Sequence, residues 1–165
     1  MASSTAKHVV VYRFERQPVD GFVNPATFLL AEGIELLTKS GAVHMIPYAE
    51  LKAVCFIGEP SRFDLFETPV LFERRPRLPG LWTRFTLRDG GQIDGILPHN
   101  LADWPAAGFM FTPPRAPNLG QRVFVPRAAL AHTEFQGVIG VAAGAKEKPA
   151  RKPPVTEGQL EMFDS

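Results

Sequence analysis

The chain has 165 residues, with 16 Pro and 13 Phe against 2 Tyr, 2 Trp and 1 Cys. Its 45% hydrophobic content excludes wholesale disorder, while a Pro share near twice the ordinary roughly 5% excludes a helical bundle, where each interior Pro would remove a hydrogen bond. One Cys excludes an intramolecular disulfide framework or a Cys-rich zinc site, no apolar run reaches the roughly 18 residues of a membrane-spanning helix, and the formal net charge of +1 conceals a gradient along the chain.

Met1 to Lys7 carries no apolar signal-peptide core, so a reducing, cytoplasmic setting is expected. His8 to Phe14, β-branched and aromatic, reads as the first strand. Asp20-Gly21 reads as turn or bulge chemistry. A strand ends at Ile46, and Pro47 stands where a helical turn begins, the position at which its missing N–H costs least. The turn Tyr48 to Leu51 is too short for an α-helix, so a 3₁₀ turn is expected before the strand Ala53 to Ile57. Within that strand Cys55 reads as a buried, inert thiol. Residues 1–73 hold six Lys/Arg against nine Asp/Glu.

Residues 59–80 carry Phe63, Leu65, Phe66, Val70, Leu71 and Phe72, apolar enough to pack as a connecting strap. The strap ends in Arg74-Arg75-Pro76-Arg77. Leu81 to Arg88 then alternates Trp82, Arg84 and Thr86 with Thr83, Phe85 and Leu87, the period of a half-buried strand. Asp89-Gly90-Gly91 is a tight turn that can supply positive φ. From here the text repeats itself. Val19-Asp20-Gly21-Phe22 recurs as Ile93-Asp94-Gly95-Ile96, Gly33 to Thr38 as Gly108 to Thr112, and Ile46-Pro47 to Leu51 as Val125-Pro126 to Leu130, at offsets of 74, 75 and 79. Three echoes in one order argue for a duplicated unit. The second copy carries its own short turn, Arg127 to Leu130, and a weaker final strand, Phe135 to Ile139.

Four strands, one helical turn and a fifth strand is the order of small SH3-like and Sm-like barrels, and the body resembles a tandem pair of these. The expected fold is all-β: two five-stranded barrels over residues 8–58 and 81–140, the strap 59–80 between them, and a disordered tail over 142–165. The resemblance rests on element order. Neither copy shows the Asn-containing and basic-Gly motifs of Sm RNA binders, so no RNA-binding residues are carried over from that family.

Residues 74–127 hold eight Arg and no Lys against three Asp. Salt bridging to the acidic first half accounts for the gradient, and an anionic partner is the other reading. Arg74, Arg75, Arg77, Trp82, Arg84 and Arg88 join guanidinium groups, which grip phosphate, to an aromatic that stacks on bases, a composition suited to single-stranded DNA or RNA. Internal pairing with Glu67, Glu73 or the acidic half is the alternative. Arg84-x-x-x-Arg88 followed by Asp103 to Gly108 also resembles PilZ domains, which implies cyclic di-GMP binding through Arg84 and Arg88. Pro105 replaces the Ser of that pattern. No catalytic constellation is visible: His8, His44, His99 and His132 are scattered, and no metal-ligand spacing or cofactor motif occurs.

From Ala142 the text reads AAGAKEKPARKPPVTEG, too poor in apolar residues to offset its ordering entropy, a tether with a span of roughly 25 Å. It closes on Gln159-Leu160-Glu161-Met162-Phe163, which resembles the bacterial sliding-clamp-binding motif. The resemblance implies that the Gln159 amide bonds the clamp backbone or a bound water, Leu160 seats in a hydrophobic cleft, and Met162 with Phe163 fills the adjoining pocket. The other reading is a helical turn docking Leu160 and Phe163 back on the body. The expectation is a non-enzymatic, soluble adaptor without cofactor, metal or membrane contact. Its tail would bind a sliding clamp and its body nucleic acid. A cyclic-dinucleotide sensor and a structural module that oligomerises through strand edges are the alternatives.

Overall fold

Along residues 81–88 the expected alternation is realised: Thr83, Phe85 and Leu87 are buried, while Trp82, Arg84 and Thr86 are half-buried on the other face. The computed structural model describes residues 5–56, 70–114 and 121–140. Ten strands run in chain order: β1 (Lys7–Arg13), β2 (Arg16–Val23), β3 (Gly33–Thr38), β4 (Val43–Pro47), β5 (Leu51–Phe56), β6 (Gly80–Leu87), β7 (Gln92–Leu97), β8 (Gly108–Phe111), β9 (Arg122–Pro126) and β10 (Leu130–Ile139). Short 3₁₀ turns lie at Leu101–Asp103 and Arg127–Ala129. The protein is all-β, as the strand periodicity leads one to expect.

The textual echoes are echoes of register. The β1–β2 ladder pairs His8 with Phe22, Val9 with Gly21, Val10 with Asp20 and Val11 with Val19. The β6–β7 ladder pairs Trp82 with Ile96, Thr83 with Gly95, Arg84 with Asp94 and Phe85 with Ile93, the same register moved by 74 residues. Leu36 opposite His44 becomes Phe111 opposite Val123. An irregularity recurs too: β1–β5 steps from Tyr12–Ala53 to Arg13–Leu51, and β6–β10 from Thr86–His132 to Leu87–Leu130. The Phe22–Leu37 pair between β2 and β3 has its counterpart in the bridge Ile96–Thr112.

Among the described residues, the two five-stranded SH3/Sm-like barrels expected from this repeat do not close. The ladders make a seven-stranded sheet, β4-β3-β2-β1-β5-β9-β8, and a three-stranded sheet, β10-β6-β7, and neither sheet closes. The physical reason lies at the seam between the repeats. β5 uses one edge for β1 and the other for β9, pairing Val54 with Phe124, Cys55 with Val123 and Phe56 with Arg122, so it has no edge left for β4. On the outer edge of β7, Val70 forms a parallel bridge to Ile93 beside the Ile96–Thr112 bridge, so the segment of β8 is joined to β7 by one bridge at its end rather than by a ladder.

The β5–β9 ladder is also the wall between two cores. Ala53 and Cys55 of β5 and Val123 and Val125 of β9 pack with Phe85, Leu87, Ile93, Phe109 and Phe111. Val54 and Phe124 pack on the opposite side with Val9, Val11, Phe28, Ile34 and Leu36. Strand alternation sends successive side chains to opposite faces, so each wall strand fills both cores.

The Asp-Gly pairs form neither the turn nor the bulge expected of them: both lie in regular register inside β2 and β7. The glycines are needed for close approach: a Cβ on Gly95 would run into the Phe111 ring, and one on Gly21 would meet Leu36 Cδ1 at 2.7 Å. Asp89-Gly90-Gly91 does make its turn. Gly90 takes φ 94° and the Asp89 Oδ1 accepts from the Gly91 N–H at 3.0 Å.

The connecting strap reaches the core through Val70, which is buried; Phe63, Leu65, Phe66 and Glu67 lie outside the described residues. So do the expected tail over 142–165 and its terminal peptide, Gln159, Leu160, Met162 and Phe163. Among the described residues, no helix is long and apolar enough to cross a membrane.

Candidate nucleic-acid interface

The register of β6 on β7 sets Arg84 directly opposite Asp94 on one face of the hairpin. Asp94 is fully buried, and its carboxylate is met by donors from three directions. Arg84 grips it bidentately, Nε to Oδ1 at 2.7 Å and Nη2 to Oδ2 at 3.1 Å. The Trp82 indole donates to Oδ2 at 3.1 Å, and the Phe72 backbone N–H donates to the same oxygen at 2.9 Å. The backbone of Asp94 donates in turn to the Val70 carbonyl at 2.8 Å. Phe72 and Trp82 close the group edge to face, with ring centroids 6.1 Å apart. Hydrogen bonding to Asp94 raises the Arg84 guanidinium above its ordinary range, against the burial that lowers it. A buried carboxylate is tolerated only when paired and hydrogen-bonded in this way.

The six residues read as a nucleic-acid surface therefore separate. Trp82 and Arg84 are committed to Asp94. Arg88 sits at the seam: it donates to the carbonyls of Ala49 and Ala128, the same position in the turns of the two repeats, and its guanidinium lies 4.0 Å from the Phe14 ring centroid. Arg75 donates to the Val138 carbonyl at 2.9 Å but remains exposed. Arg74 and Arg77 are exposed as well. Arg74, Arg75, Phe72, Glu73 and Pro114 line a shallow cleft of about 380 Å³. The fold thus brings Arg74, Arg75 and Arg77 to the surface beside the Asp94 network and turns Arg84 and Arg88 to internal work.

Asp94 is the residue that the sequence reading missed. Counting outward from the Asp89-Gly90-Gly91 turn already sets Arg84 and Asp94 opposite one another, and opposite charges on one face of a hairpin are a pairing signal. The repeat hid it, because the equivalent Asp20 is exposed and pairs with Lys39 at 3.1 Å. The expected salt bridging of the basic half to the acidic half also takes another form. Among the described residues, the ion pair that crosses the seam, Lys52 Nζ to Asp89 Oδ2 at 2.7 Å, draws its cation from the acidic half. Burial alone would raise Asp89, but hydrogen bonds from Lys52 and the Gly91 N–H outweigh it and hold the carboxyl below its ordinary value. Cys55 is buried, and burial pushes its thiol well above its ordinary value. Among the described residues, no group of three or more His, Cys, Asp or Glu side chains converges as a metal site.

A family model matches residues 5–137, described as a family of unknown function, DUF6982. The chain belongs to that family. The DUF6982 match takes in both strand sets and ends before the terminal peptide. No curated protein and no solved structure matches the chain.

Proposed function

We propose that this protein is a cytoplasmic, non-enzymatic adaptor whose C-terminal peptide docks on the bacterial DNA sliding clamp while its β body contacts nucleic acid. The observation that carries the reading is the peptide Gln159-Leu160-Glu161-Met162-Phe163 itself, which follows a polar, Lys- and Pro-rich stretch. Three apolar anchors at that spacing are the composition of a short-motif ligand, in which a few residues supply most of the affinity. The body is a tandem of two open SH3/Sm-like units. Both show strand order 5-1-2-3-4 within the unit, with a short turn before the fifth strand.

The nucleic-acid surface narrows to Arg74, Arg75 and Arg77. Trp82 and Arg84 support it from behind, since they fix Asp94 and through it the backbone at Phe72, two residues before the cluster. Arg84 and Arg88, on which a cyclic-dinucleotide site would rest, are held by Asp94 and by two backbone carbonyls, and a nucleotide would have to displace those partners. A weak contact of the body with nucleic acid gains effective concentration once the tail is held on a ring that encircles DNA.

Pull-down with purified clamp tests the first half. The full chain is expected to capture the clamp, and the Leu160→Ala/Phe163→Ala double variant to lose that capture with its thermal melt unchanged. No capture by the full chain at micromolar concentration overturns the reading. Retardation of single-stranded DNA and RNA at graded salt tests the second half. Replacing Arg74, Arg75 and Arg77 by Ala is expected to flatten the log–log salt slope by about 2, from a slope of about 0.7 per phosphate contact.

A further inference from the structure

The ladders and bridges run in one continuous order from β4 at one end to β10 at the other, and among the described residues each of these two strands has an unpaired edge. The two edges are not arbitrary. β4 is the fourth strand of the first repeat, equivalent to β9, and β10 is the fifth strand of the second, equivalent to β5. The seam inside the chain is a fifth strand of one repeat paired with a fourth strand of the other. A head-to-tail contact of this kind leaves its complementary halves at the two ends, where the same operation can be repeated.

We propose that the chain self-associates head to tail, β10 of one copy pairing antiparallel with β4 of the next in the register of β5 on β9. The repeat offset of 79 turns each seam pair into a pair across copies. Phe56 opposite Arg122 becomes Phe135 opposite Val43; Cys55 opposite Val123 becomes Glu134 opposite His44; Val54 opposite Phe124 becomes Thr133 opposite Met45. Two of the three pairings are complementary. Phe135 and Val43 are 60% and 63% exposed, and Met45 is 52% exposed. A carboxylate faces an imidazole that can donate to it. Exposed apolar side chains on an unpaired edge favour strand addition, and direct cross-strand pairs set its register.

The contact is weaker than the internal seam, and two differences say why. β10 carries His132, Thr133 and Glu134 where β5 carries the buried Ala53, Val54 and Cys55. The Lys52–Asp89 ion pair has no counterpart either, because Ala131 and Glu15 occupy the equivalent positions. The association is therefore reversible and concentration-dependent.

Sedimentation of the full chain over a range of concentrations reads this directly, and its mean mass is expected to rise with concentration. Val43→Glu blocks one edge and Phe135→Glu the other, each at an exposed site, so each variant alone is expected to remain monomeric. Mixed, they are expected to form a one-to-one heterodimer, because each still carries the edge that the other lacks. A wild-type chain that stays monomeric to hundreds of micromolar overturns the proposal, the edges then being covered by the chain's own remaining segments or by a different partner. Two folded variants that fail to combine also overturn it, as does a Phe135→Glu chain that still dimerises, which would mean like edges pairing. Should either glutamate variant lose its native melt, the Val43→Lys and Phe135→Lys variants put the same question.

Discussion

The Asp94 carboxylate on β7 holds together two other segments, the strap at Phe72 and β6 at Trp82 and Arg84. Its worth is conditional on its partners. Removing Arg84 leaves a negative charge buried with two neutral donors, and breaking a buried pair in this way costs about 3–5 kcal/mol. Arg84→Ala is therefore expected to lower the urea-denaturation free energy by about that amount. Arg84→Lys should fall between, since it keeps the charge and loses the planar fork that meets both oxygens. A free-energy loss for Arg84→Ala within about 0.5 kcal/mol, the range of ordinary surface substitutions, would mean that the network is not structural.

Strand positions were legible because strands advertise themselves by period two, and turns by their special residues. The alternation over Leu81 to Arg88 and the Asp89-Gly90-Gly91 turn needed no tertiary information. The glycine of the repeated Asp-Gly pair was a different case. Its purpose depends on what crosses over it, the Phe111 ring in one repeat and Leu36 in the other, and no local signal says so. Gly95→Ala forces the Phe111 ring aside in a packed core, and such overpacking costs about 1–3 kcal/mol. Its expected signature in thermal denaturation is a lower midpoint with the cooperativity retained. In the second copy the final strand begins at Leu130, five residues before the sequence reading placed it, because the ladder to β6 supplies the order that the polar text His132 to Glu134 lacks on its own.

At the scale of the molecule the decisive feature is the seam, where β5 and β9 pair, Arg88 ties the two turns together, and Lys52 meets Asp89. That ion pair gives the seam a pH dependence with a definite sign. The Asp89 carboxyl is held below its unfolded value of about 3.9, so its contribution is complete above that pH. It is lost as pH falls through the lower folded value. Wild type and Asp89→Asn are therefore expected to differ most in urea midpoint near neutral pH and to converge below about pH 4. A difference that persists unchanged into acid would show that the charge of Asp89 is not what matters.

The linear text carried the all-β class, the duplication and its offsets, and the short turn before each fifth strand, because these are written in local periodicity and in segments that repeat. It could not say how the two copies would meet. A fifth strand satisfies its hydrogen bonds equally well against its own fourth strand or against that of the neighbouring repeat, and the choice rests on which arrangement buries both faces of the wall. Folding settled that choice in favour of β5 on β9, buried Asp94 and, among the described residues, left β4 and β10 as the outer strands.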